Sequence, residues 1–148
     1  MKIFTAILTA PIAALLSLSE NTIAECQESQ NQPTQQFFVA FESNSYQITP
    51  LEQKRLKQWV SEINSKYSIQ NWTYIIGSAS KNEIDPDQLA IKRASAVTKS
   101  IIDDGLIIAP FQIKTQIYPT NSTADASTET REVTVQVSPG CRNNCCTG

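Results

Sequence analysis

Residues 37–63, FFVAFESNSYQITPLEQKRLKQWVSEI, decide the fold. Phe37 to Phe41 is a short apolar and aromatic run, which predicts a buried strand. Glu42 to Ile48 connects it to a helix start at Thr49-Pro50-Leu51-Glu52. Thr49 can cap, Pro50 suits the first helical position, and Glu52 sits where a capping box needs it. Leu56, Trp59, Val60, Ile63 and Tyr67 then recur at helical spacing, while Lys54, Arg55, Lys57 and Glu62 fall elsewhere. The pattern is a strand followed by an amphipathic helix packed on the core, its charges forming a solvated face.

A second strand and helix follow, without any internal sequence repeat. Trp72 to Gly77 predicts a second strand, and Asp85-Pro86 repeats the cap-and-proline start. Ala90, Ala94, Val97 and Ile101 form the buried stripe of a second helix, with small residues allowing close approach to a sheet. Gly105 can end that helix in the left-handed conformation. Phe111, Ile113 and Ile117 alternate, as do Val133, Val135 and Val137, so both runs predict strands with one polar face. Pro119 to Thr130 between them reads as a polar loop. The order β-α-β-α-β-β gives an α+β two-layer sandwich: a mixed sheet with two helices on one face.

The flanks read differently. Met1 to Ala24 has a lysine start, an apolar run over residues 3–18 and a small residue at its end, the form of a signal peptide cut after Ala24. The mature chain then carries no spanning segment. Glu25 rather than a small residue precedes Cys26, which argues against a lipid-attachment site. Residues 25–36 form a glutamine-rich flexible lead, 37–138 the domain, and 139–148 a cysteine-bearing tail.

The four cysteines, Cys26, Cys141, Cys145 and Cys146, all lie outside the core elements. In an exported chain an even count predicts two disulfides, with three pairings open. Joining the adjacent Cys145 and Cys146 needs a strained ring, which leaves Cys26 bonded to one of them and Cys141 to the other. A metal site is the rival reading, but adjacent thiolates splay badly for a tetrahedron and the chain has no histidine. No metal or other cofactor is expected.

Composition excludes further classes. Twelve Lys and Arg against 14 Asp and Glu give no electrostatic footprint for nucleic acid. The absence of histidine removes Ser-His and Cys-His nucleophile systems. The carboxylate pairs Glu83/Asp85, Asp103/Asp104 and Glu129/Glu132 sit in loops or at helix ends, with nothing to oppose them across a cleft. The chain reads as non-enzymatic.

Four blocks within this order resemble the OmpA-like, peptidoglycan-associated domain family. The family's V-x-F-x-F-D-S-x-x-L-x-P opening is met by Val39, Phe41, Asn44, Ser45, Ile48 and Pro50, with Ser43 in place of the second aromatic. Its G-x-T-D strand end is met by Gly77-Ser78-Ala79-Ser80. Its L-S-x-x-R-A-x-x-V helix is met by Leu89-Ala90-Ile91-Lys92-Arg93-Ala94-Ser95-Ala96-Val97, and its N-R-R-V-x-I close by Thr130 to Val135. The resemblance implies a periplasmic, outer-membrane- or wall-associated domain that binds the diaminopimelate head of the peptidoglycan stem. The family's aspartate accepts from the ammonium, and its arginine offers a forked donor to the carboxylate.

In this chain those positions are Ser80 and Arg93, so the aspartate charge is missing. The Gly77–Leu89 connection is shorter than the family's, and Pro86 stands where the family has an asparagine. Two roles stay open for Arg93: recognition of a ligand carboxylate, or a salt bridge to Glu83 or Asp87. Asp85 and Asp87 are substitutes for the lost acceptor or simple helix-terminus charges. Two functions follow. One is non-covalent association with peptidoglycan, with a partner linking wall to membrane. The other is a structural or protein-interaction subunit of an envelope secretion or transfer complex that has lost wall binding. A secreted effector or inhibitor is a third.

Overall fold

The computed structural model describes residues 32–119 and 128–141. The leader, Cys26, Cys145, Cys146 and most of the 119–130 loop fall outside them. Strands β1 (Gln35–Ala40), β2 (Gln70–Ser80), β3 (Phe111–Tyr118) and β4 (Glu132–Pro139) alternate with helices α1 (Pro50–Lys66) and α2 (Pro86–Asp103). A short 3-10 turn, Thr128–Arg131, leads into β4.

The sheet runs β1-β4-β2-β3. β4 pairs antiparallel with both β1 and β2, while β2 and β3 are parallel, joined across α2. The valines at 133, 135 and 137 bury completely because β4 is central and one face of its pleat lies under the helices. They meet Val39, Ile75, Leu56, Val60, Val97 and Ile101 in one core. α1 packs over β1, and α2 over β2 and β3. Among the described residues no helix is long and apolar enough to cross a membrane.

Local chemistry explains the helix ends, with two corrections to the sequence reading. Thr49 caps α1 as expected, its hydroxyl accepting from the Glu52 N–H at 3.3 Å. The reciprocal half of the capping box is not made: the Glu52 carboxylate turns to the Ala40 N–H (3.1 Å) and to Arg55, tying the helix to the end of β1. Asp85 adopts a left-handed φ of 48° and makes no side-chain cap, so it positions a loop and does not cap α2.

The far end of α2 closes in a Schellman motif. Gly105 takes φ 97°, its N–H reaches the Ile102 carbonyl, and the Leu106 N–H reaches that of Ile101. β2 is longer than the Trp72–Gly77 run because its polar ends are also paired, to Pro139 at one end and to Tyr118 at the other. Cys141 is disulfide-bonded, and the other three cysteines lie outside the described residues.

Candidate functional site

The end of β2, the β2–α2 loop, the β1–α1 connection and the first turns of α2 converge on Arg93. Its helical position, one turn beyond Leu89 on the buried side, sends the side chain into the layer between helix and sheet, where it is fully buried. A buried guanidinium is stable only if its charge and all five N–H groups are answered.

Here they are. Nε donates to the Ser45 carbonyl at 2.8 Å. Nη1 donates to the Ser78 carbonyl at 2.9 Å and to Glu83 Oε2 at 2.8 Å. Nη2 donates to the Glu42 carbonyl at 3.1 Å and to Glu83 Oε1 at 2.6 Å. The guanidinium carbon also lies 5.5 Å from the centre of the Phe41 ring.

Glu83 is answered as completely. Besides the fork from Arg93, Oε1 accepts from the Asn44 N–H at 2.8 Å and Oε2 from the Ser80 N–H at 3.0 Å. Asn44, itself left-handed with φ 55°, returns the contact: its Oδ1 accepts from the Ile84 N–H at 2.8 Å. The two loops are thus stapled to each other as well as to the arginine.

Burial pushes the Glu83 pKa up. The Arg93 hydrogen bond, the Asn44 and Ser80 N–H groups and the Arg93 charge outweigh it and hold the carboxyl below its ordinary 4.5. A depressed folded pKa stabilises the native state fully above the unfolded value, and that contribution is lost as pH falls through the folded value. Thermal stability should therefore fall on acidification below about pH 4.5. In Glu83→Gln this component of the slope should be absent when melting is followed from about pH 6 to pH 3.

The sequence-derived site residues are therefore placed as follows. Arg93 and Ser80 do come together, but through Glu83: the Ser80 backbone and the guanidinium hold the same carboxylate. The Ser80 side chain is buried and accepts from the Asn82 N–H at 3.3 Å. Of the two carboxylates weighed as partners of Arg93, Glu83 is in contact, while Asp87 lies on a cleft beside Lys81 and Tyr118. The sequence reading named Glu83 as one of two possible partners of Arg93; the bridging role of Asn44 is the part it did not assign. A carboxylate one short loop before a helix arginine was the available signal, shared with Asp85 and Asp87.

Beside the closed pair lies an open cleft of about 310 Å³, lined by Asn44, Tyr46, Ile84, Asp85, Gln88, Leu89 and Lys92. Lys92 Nζ stands 5.4 Å from the centre of the Tyr46 ring. The cleft offers one cation and one carboxylate to a polar molecule. Among the described residues no group of three metal-ligating side chains occurs.

The fold is a four-stranded mixed sheet under two helices, and at one end of it Arg93 and Glu83 close on each other. The model of the OmpA family matches residues 40–135, and the chain belongs to that family. No curated protein matches it in sequence. The fold is shared with the OmpA-like domain of FopA1 from Francisella tularensis, at 19% identity over 72% of this chain and 73% of that one, TM-score 0.51. It is shared with the C-terminal domain of Helicobacter pylori MotB, at 16% identity over 72% and 88%, TM-score 0.58. It is shared too with the peptidoglycan-associated lipoprotein of Burkholderia pseudomallei, at 19% identity over 68% and 87%, TM-score 0.52.

Proposed function

We propose that this chain is a non-enzymatic structural or protein-interaction module of the cell envelope, exported to the periplasm, whose carboxylate-reading arginine is occupied by its own Glu83. The observation that carries this reading is the full use of Arg93. All five guanidinium N–H groups are spent on protein acceptors, and the forked donation that would grip a ligand carboxylate grips Glu83. A ligand would have to displace a carboxylate held by four hydrogen bonds, and Ser80 offers no negative charge to an incoming ammonium in return. An envelope complex, rather than the wall, is then the partner.

Wall association through the neighbouring cleft is the second reading. Family membership and the Lys92–Asp85 lining favour it. Co-sedimentation with insoluble peptidoglycan sacculi separates the two. The oxidised, folded chain should stay in the supernatant. Pelleting that free diaminopimelate competes away would establish wall binding instead.

A further inference from the structure

We propose that the free edge of β3 is a self-association surface, on which a second copy of this chain adds its own β3 antiparallel to form one continuous eight-stranded sheet. β3 ends the sheet, and no described strand lies beyond it. The Thr73 N–H bonds the Pro110 carbonyl and the Lys81 N–H bonds the Tyr118 carbonyl, so the even-numbered residues of β3 direct their backbone toward β2. By alternation, Ile113, Thr115 and Ile117 direct their N–H and C=O groups outward. The strand has no proline and no bulge against β2, and its eight residues hold a single charge, Lys114. Natural edges are usually blunted more heavily than this.

The side chains point the same way. Phe111 and Ile117 pack under the helices, yet Ile113 between them on that face is 51% exposed. Above it, Ile91 and Ile102 recur on the side of α2 opposite Ser100, which bonds Gln53 of α1, and both are exposed. Ile107 and Ile108, in the turn that enters β3, are exposed as well. An apolar strip thus runs along the edge on the helix side.

The occupant follows from register. Antiparallel pairing must set outward residues opposite outward residues. With Thr115 opposite Thr115 of the second copy, Ile113 meets Ile117 and Lys114 meets Gln116. Three hydrogen-bonded pairs form, and the half-exposed isoleucine is covered by its counterpart's neighbour. Of the two neighbouring registers, one places Lys114 opposite Lys114, which like-charge repulsion disfavours, and the other places Ile113 opposite Pro119, which has no N–H to complete the pair. The strand is therefore complementary to itself in one register.

Sedimentation velocity on the full chain, expressed with its own leader and purified oxidised, tests this. A concentration-dependent dimer is expected. Thr115→Pro removes an outward N–H without touching the β2 ladder, a substitution an edge strand tolerates. It should raise the dimer dissociation constant at least about tenfold, since the central pair loses both its bonds. Ile113→Glu, at a side chain already half in solvent, should do the same while leaving the monomer's circular dichroism unchanged. A monomer at every accessible concentration, or a dimer that survives both substitutions, would overturn the proposal.

Discussion

Arg93→Ala is expected to lower the stability of the folded domain by about 3–5 kcal/mol, the range seen when one partner of a buried ion pair is removed. The substitution strips Glu83 of its fork and leaves the carbonyls of Glu42, Ser45 and Ser78 without the donor that now serves them. Domains of this size are stable by only about 5–15 kcal/mol, so the loss takes a large share of the total. Chemical denaturation of the oxidised protein reads it directly. Arg93→Lys should recover little, because an ammonium cannot reproduce the planar fork. Replacing both partners, with Arg93→Met and Glu83→Leu together, should cost much less than Arg93→Ala alone, because no buried charge is then left unpaired. A change below about 1 kcal/mol for Arg93→Ala would show that the pair is not buried in solution.

Gly77→Ala should be the most damaging methyl that can be added to the sheet. A Cβ at that position would stand 2.2 Å from the Ala90 carbonyl oxygen and 2.8 Å from the Ala94 Cβ. The first is helix backbone, so the clash is not relieved by rotating a side chain; α2 must lift from β2. Overpacking of this kind costs about 1–3 kcal/mol and at times more. For a domain of about 100 residues that corresponds to a fall in Tm of roughly 5–20 °C. Lifting α2 also draws Arg93 from the Ser78 carbonyl one residue along β2, so Gly77→Ala and Glu83→Gln should combine non-additively. Thermal melting of the two single variants and the double variant measures that coupling.

The architecture was legible where one residue type carries one local job. Thr49-Pro50 marks the start of α1, Gly105 marks the end of α2, and the alternating valines mark β4 as a strand with one buried face. Ala90 and Ala94 forecast the close helix–sheet contact that Gly77 completes. The misses arise where tertiary contacts outbid local ones. Glu52 abandons the capping box because an unpaired Ala40 N–H lies within reach, and Asp85 gives up capping because the loop must turn left-handed there. Ile113 keeps the alternation of a buried residue yet stays half exposed, because only position in the sheet reveals that β3 is an edge. Family motifs singled out Arg93, and the sequence offered Glu83 and Asp87 as its partner; only the fold chooses Glu83.

The Arg93 guanidinium is fully occupied from within. The most direct measurement follows the Arg93 side-chain N–H signals of the 15N-labelled chain while a diaminopimelate-containing muropeptide is added. Slowly exchanging signals that do not move through the titration are the predicted result. Saturable shifts of the Arg93 Nε–H and of the Asn44 and Ser80 amides together would show Glu83 giving way to an external carboxylate, and would contradict the account.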